Sequence, residues 1–193
     1  MATLPASRRT RMLPLPLAFA LLGALAPLGA CDDGVVAPGA VTSTATSPGA
    51  GEAEVTTAAG ALRASLRVRP STLAPGETMT VRFTLANSGR TASSVTLSCT
   101  APAFLSLRRA DTPPGGESIN GSGCGAAISE VRLAAGAERV MEMRFPASEI
   151  ATSGGPGRPL APGRYVIEAR PTVIEIDGVE AGLAPLQIPV TVR

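Results

Sequence analysis

The sequence predicts an all-β fold, an Ig-like antiparallel β-sandwich preceded by a signal peptide and a disordered tether. Three observations lead to this prediction. Short segments of alternating apolar and polar residues recur between residues 61 and 193, and turn signals rich in Gly and Pro separate them. No long amphipathic helix interrupts them. The single tyrosine, Tyr165, follows a Pro-Gly turn at the start of a late strand, which is the position of a tyrosine corner.

Residues 1–30 have the features of an export signal. Three arginines precede an apolar run over residues 13–28, and the small residues Gly29 and Ala30 come directly before Cys31. Prolines inside the run disfavour a stable spanning helix. We therefore expect this segment to direct export rather than to form part of the fold.

The stretch Leu28-Gly29-Ala30-Cys31 resembles the lipobox of bacterial lipoproteins. The resemblance implies cleavage before Cys31 and acylation of its thiol, so that lipid chains anchor the mature protein to a membrane. Two alternatives remain open at this point. The protein is instead secreted after cleavage at Ala30, or it keeps the segment as an uncleaved anchor.

Residues 31–60 are predicted to form a flexible tether. They consist mostly of Ala, Gly, Pro, Ser, Thr and Val and lack the apolar bulk that would offset the loss of backbone entropy on ordering. Asp32 and Asp33 begin the tether and resemble the inner-membrane retention signal of enterobacterial lipoproteins. We therefore expect a cell-envelope location, facing the periplasm or exterior, with the inner membrane slightly favoured over the outer membrane.

The amino-acid composition argues against several classes of function. The chain contains no histidine, which removes the commonest general base and the usual zinc ligand. Removal of residues 1–30 takes three of the 17 basic residues and none of the 15 acidic ones, so no basic excess remains for nucleic acid. We expect a protein that is not an enzyme, that needs no cofactor or metal, and that binds no nucleic acid.

The predicted strands of the 61–193 domain follow from period-two alternation, bounded by turn residues. The first ends at Pro70, the second ends at the Asn87-Ser88-Gly89 turn, and Pro189 marks the last as an edge strand. Asp177-Gly178 is predicted to form a hairpin turn, with calcium binding by neighbouring carboxylates as the alternative. The strands cover residues 62–69, 78–85, 95–99, 103–107, 128–133, 141–145, 165–170 and 186–192.

Cys99 and Cys124 remain once Cys31 is assigned to lipid. Two thiols in an oxidising compartment predict a disulfide, which would attach the long Gly-rich loop to the third strand. Metal binding by the pair is disfavoured because the sequence offers neither a histidine nor a CxxC spacing.

The order of motifs resembles the Ig-like domain of the BsuPI intracellular proteinase inhibitor family. The similarity covers roughly residues 61–193 and includes the Pro75-Gly76-Glu77 turn and the pattern Leu160-x-Pro-Gly-x-Tyr-x-Ile. The chain departs from the family at residues 98–102, where aromatic and Gly-Gln features are replaced, and at Phe145, where a Trp often stands. The resemblance implies an Ig-like fold and, as an alternative function, proteinase inhibition.

We expect a non-catalytic binding or structural module, displayed on the envelope and directed at a protein or a polysaccharide. The alternative is a proteinase inhibitor or regulator of the BsuPI-like type. Under that alternative, Arg108 and Arg109, in a predicted loop, would contact a trypsin-like protease. The competing interpretation of these two arginines is a solvated surface pair.

Overall fold

The computed structural model describes residues 44–46, 51–125, 127–150 and 157–193. Cys31 and the predicted signal peptide lie outside these residues. The described residues form strands and connecting segments but no helix, and accordingly none of them forms a helix long and apolar enough to cross a membrane. The strands are β1 Thr44–Thr46, β2 Ala53–Ala59, β3 Leu62–Arg69, β4 Thr72–Leu73, β5 Thr78–Asn87, β6 Ser93–Leu97, β7 Ala103–Arg109, β8 Asn120–Gly121, β9 Ser129–Leu133, β10 Glu138–Pro146, β11 Gly163–Pro171, β12 Val173–Ile176, β13 Val179–Glu180 and β14 Leu186–Val192.

The strands form three sheets. The first sheet has the order β1-β2-β3-β5-β10, the second β4-β14-β11-β7-β8, and the third β13-β12-β6-β9. All pairs are antiparallel except β14 with β4. The fold is therefore the all-β sandwich predicted from the sequence.

The core consists of side chains that the period-two pattern directs to one face of each strand. In β3, every second residue is buried and those between are exposed or intermediate. The same alternation continues through β5 and β14. Met141 and Met143 of β10 pack against this core, as the alternation predicted. The largest fully buried side chains are Tyr165, Phe83, Phe145, Leu62, Leu66, Met79, Leu85, Leu97, Leu105, Leu107, Ile167 and Leu186.

The ordered sheet begins earlier than the predicted domain boundary at residue 61. Composition places residues 53–59 in the predicted tether, whereas the structure pairs all seven residues of β2 with β3. Val55 and Thr57 are buried, and the small residues Ala53 and Ala59 pack against the core. The composition of this segment is poor in apolar bulk, so its order depends on a long pairing with β3 that local composition does not report.

The last strand is an edge over only part of its length. The N–H groups of Thr191 and Arg193 donate to Ser71 and Leu73 on the β4 side, at 2.9 and 3.1 Å. Pro189 directs its backbone nitrogen to the same side because alternate residues of a strand face the same neighbour. β4 pairs with β14 only at residues 191 and 192. Pro189, which has no N–H to donate, therefore lies in the part of β14 that does not pair with β4.

The predicted hairpin at Asp177-Gly178 is confirmed. Both residues have positive φ, 52° and 78°, as the type I′ turn between β12 and β13 requires. Asp177 Oδ1 accepts a 2.8 Å hydrogen bond from the Ser94 backbone N–H, so this carboxylate holds the turn against β6.

A tyrosine corner fixes the entrance to β11. The Tyr165 ring is buried, and its hydroxyl donates a 2.8 Å hydrogen bond to the carbonyl of Ala161, four residues upstream. This geometry confirms the expectation drawn from the Pro162-Gly163 turn and supports the Ig-like description of the sandwich.

Tyr165→Phe is expected to lower the free energy of unfolding by about 1 kcal/mol. The substitution keeps the buried ring and removes only the hydroxyl that satisfies the Ala161 carbonyl. Chemical denaturation of both proteins measures the difference. A loss below about 0.3 kcal/mol would show that the corner bond makes no net contribution.

Candidate binding surface

A buried ion network lies on the outer face of the second sheet, on β7, β11 and β14. The Glu168 side chain is only 1% exposed and that of Arg108 only 5%. Glu168 accepts hydrogen bonds from Arg108 Nε at 3.2 Å, from Gln187 Nε2 at 3.1 Å and from Arg170 Nε. Register explains the convergence, since Glu168 lies directly opposite Gln187, while Arg108 and Arg170 are on neighbouring rows.

Burial would by itself raise the pKa of Glu168, but hydrogen bonds from Arg170 and Arg108 and their positive charges outweigh it. The pKa of Glu168 is therefore held below its ordinary value of 4.5. The carboxylate stays ionised at neutral pH and compensates the buried Arg108 guanidinium.

Acid should weaken the fold through this group. Because the folded-state pKa of Glu168 is lowered, its stabilisation is fully present above pH 4.5 and is lost as the pH falls through the folded value. Unfolding free energies measured from about pH 5.5 to about 2.5 are expected to fall less steeply in Glu168→Gln than in the wild type. Equal slopes would contradict this account.

The network also holds the segment between β7 and β9 against the sheet. Arg108 Nη1 donates to the carbonyl of Thr112, and the N–H of Ile119 donates to Leu107 at 2.7 Å. Gly115 has a φ of 77°, and a Cβ there would lie 2.6 Å from Arg170 Nη2. A side chain at position 115 would thus be strained by its backbone and crowded by the arginine.

The disulfide fixes the far end of the same segment. Cys99 and Cys124 are joined with their Cα atoms 6.0 Å apart, within the range that a disulfide spans. The hydroxyl of Ser122 accepts a 2.9 Å hydrogen bond from the Leu105 N–H. The segment is therefore attached to β7 at both ends, although it contains little regular structure.

A groove of about 280 Å³ lies between this segment and the exposed face of the second sheet. The Phe104 side chain is half-exposed, and its register partner on β11 is Arg170. Hydroxyls and glycine backbone surround these two side chains. The lining residues are Phe104, Leu105, Ser106, Gly115, Gly116, Ser118, Gly121, Ser122 and Arg170.

A second, larger hollow of about 530 Å³ shares Ser118 with the groove. Ile119 and Ile150 form its apolar part, and Arg109 and Glu149 are among its charged residues. Glu149 is paired with Arg158 at 2.9 Å. This hollow differs from the groove because it has no aromatic side chain.

Arg108 and Arg109, which the sequence predicts to share a loop, have different surroundings in the structure. Both lie in β7. Arg108 is buried and paired with Glu168, so its guanidinium is not presented to a protein partner. Arg109 is exposed and lines the larger hollow. The expected contact at Arg108 is therefore corrected, and only Arg109 remains available for one.

Several residues of this surface were missed from the sequence. Glu168 and Arg170 occupy polar positions of a period-two strand, which ordinarily face solvent. Phe104 stands at an outward position between two buried neighbours. That outward aromatic residue was the one available signal. Among the described residues, no group of three or more acidic or cysteine side chains is arranged to hold a metal ion.

Comparison with known proteins identifies no relative from which the fold or the activity of this chain can be argued. No protein-family model matches the sequence, and no curated protein is similar enough to indicate a relative. Among solved structures, the β-glucosidase EmGH1 from Erythrobacter marinus is 14% identical, with a TM-score of 0.38, over 66% of this chain and 15% of that one. A mutant β-glucosidase from Listeria innocua, in complex with laminaribiose, is 19% identical, with a TM-score of 0.35, over 68% and 16%. The alkylpurine DNA glycosylase AlkC from Pseudomonas fluorescens is 16% identical, with a TM-score of 0.29, over 62% and 28%.

The matched part of this chain spans only 15%, 16% and 28% of those three proteins, and similarities this weak carry no argument about fold or activity. What the fold and the surface define is a small Ig-like β-sandwich with a disulfide-tied groove on one face.

Proposed function

We propose that the protein is a lipid-anchored envelope protein whose sandwich is a non-catalytic module that binds polysaccharide. The observation that carries the binding role is the groove beside Phe104 and Arg170. An exposed aromatic face next to hydroxyl and guanidinium donors suits a sugar ring, which has apolar C–H surfaces and polar edges. The disulfide and the Arg108–Glu168 network support this role because they hold the groove in place without a ligand.

Binding to purified peptidoglycan sacculi provides the direct test. The full chain is expected to co-sediment with sacculi, and Phe104→Ala is expected to weaken binding by about tenfold or more. Ile128→Ala is the matched control, because Ile128 is also a large exposed apolar residue, 77% exposed, outside the groove. Equal loss in both variants, or no co-sedimentation of the wild type, would argue against this ligand.

A protein partner at the same groove gives a different result. A photo-crosslinking amino acid at position 104 would then yield discrete protein adducts in cells, while sacculi would leave the chain in the supernatant. That outcome would retain the groove as the binding site and replace the polysaccharide by a protein.

The anchor is supported by the Leu28-Gly29-Ala30-Cys31 motif and is tested separately. Intact mass and membrane partition of the wild type are expected to show an acylated mature chain, and Cys31→Ser is expected to lose both acylation and membrane retention. Cys124→Ser is the matched cysteine control and should remain acylated. An unacylated wild-type chain cleaved after Ala30 would make this a secreted module.

Proteinase inhibition remains the alternative proposal, supported by the BsuPI-like motifs and by the exposure of Arg109. A panel of trypsin-like proteases assayed with and without the protein tests it. Inhibition that is lost in Arg109→Ala would support a contact there. Unchanged rates across the panel would reject this alternative.

A further inference from the structure

Among the residues that the structure describes, the first sheet ends in an open edge at β10. Its last strand, β10, is nine residues long and pairs along its whole length with β5. No other strand of the described chain pairs with it. An open edge of this length offers a row of backbone donors and acceptors to another strand.

Hydrogen bonds at the two ends of β10 show which residues face outward. The Asn87 N–H donates to the Ala137 carbonyl at 3.0 Å, and the Ala147 N–H donates to the Glu77 carbonyl at 2.7 Å. The N–H and C=O groups of successive residues point to opposite sides of a strand. The odd-numbered residues from 137 to 147 therefore bond to β5. The even-numbered residues of β10 therefore direct their backbone groups away from the sheet. These residues are Glu138, Val140, Glu142, Arg144 and Pro146, of which the first four carry an N–H group.

The charges of Glu138 and Arg144 are complementary when two copies of β10 run in opposite directions. When two copies of β10 lie antiparallel about a two-fold axis at Met141, Glu138 faces Arg144 of the second copy and Val140 faces its Glu142. Symmetry repeats both pairs. The Glu138 and Arg144 side chains are exposed, and within the described residues neither forms an ion pair.

Neighbouring registers are less favourable. An axis at Val140 would place Glu138 opposite Glu142 of the second copy. An axis at Glu142 or Met143 would bring Pro146, which has no N–H, into a hydrogen-bonding position. Charged edge residues ordinarily prevent indiscriminate pairing, and here they select one register.

We propose that two copies of this chain associate through their β10 strands, with the two-fold axis at Met141, and join their first sheets into one continuous sheet. We assign the edge to a second copy because antiparallel pairing places Glu138 of each copy opposite Arg144 of the other. The pairing does not depend on the polysaccharide groove, which lies on the second sheet.

Disulfide trapping of the full chain tests the register. Residues that face each other at a non-hydrogen-bonded position have Cα atoms about 4.5 Å apart, so Met141→Cys is expected to form a covalent dimer under mild oxidation. Glu142→Cys is the matched control. In this register Glu142 faces Val140 of the second copy. Residue 142 of that copy lies two residues further along the strand, beyond the Cα–Cα distance of roughly 7 Å that a disulfide can span. The wild type gives the background from its native cysteines.

Equal trapping at both positions would indicate random collision and overturn the proposal. Absence of trapping at position 141 would also overturn it.

Charge reversal at exposed positions of β10 gives a second test. Glu138→Arg or Arg144→Glu in the Met141→Cys chain is expected to weaken dimer formation by about tenfold, because each change creates two like-charge pairs across the axis. The double reversal restores both pairs and is expected to restore the dimer. Arg63→Glu, on the same sheet face but in β3, should have no effect. Failure of the double reversal to recover the dimer would overturn the register.

Discussion

Glu168→Leu is expected to lower the free energy of unfolding by about 3–5 kcal/mol. The substitution leaves the Arg108 guanidinium buried without its counter-charge, since the Glu168 carboxylate is the acidic partner of Arg108 in the structure. Leucine is apolar, so the loss does not come from poor burial of the new side chain. Denaturant unfolding at neutral pH measures the change.

Two further variants separate the charge effect from simple repacking. Arg108→Met combined with Glu168→Leu is expected to recover most of the lost stability, because replacing both members of a buried ion pair leaves no charge without a partner. Glu54→Gln interrupts the exposed pair with Arg67 and should change stability by less than about 1 kcal/mol. A double variant as unstable as Glu168→Leu would show that packing, not charge, determines the loss.

The second large effect is expected from the disulfide. Cys99→Ala with Cys124→Ala should lower the free energy of unfolding by about 3 kcal/mol, because the bridge closes a loop with a sequence separation of 25. For a domain of this size the melting temperature would fall by roughly 10 °C. Scanning calorimetry measures the shift.

A reductant should lower the melting temperature of the wild type by a similar amount and leave the double variant unchanged. The groove gives an independent readout, since the bridge fixes the segment that lines it. Polysaccharide binding by the double variant is expected to weaken even at temperatures where the sandwich stays folded. Stability that is equal with and without the bridge would contradict the structural role of these cysteines.

Only part of the candidate surface could be predicted from the residue pattern of the sequence. The cysteine pair was predictable because only two thiols remain after Cys31 is assigned to lipid. The burial of Arg108 was not predictable, since a strand pattern gives the face of a residue but not what covers that face. The carbonyl of Thr112 accepts a hydrogen bond from Arg108, so the chain after β7 covers an outward position that the strand pattern predicts to be exposed.

Alternation of apolar and polar residues determined the sandwich, most of its strands and their inner faces, because a period of two leaves one side of each strand to be buried. Local residue chemistry likewise determined the Asp177-Gly178 turn and the tyrosine corner. The tertiary structure alone decided that β2 joins the sheet, that Glu168 and Arg108 meet, and that Phe104 lines a groove. Each of these depends on contacts between segments distant in sequence, whose free energy is not carried by either segment alone.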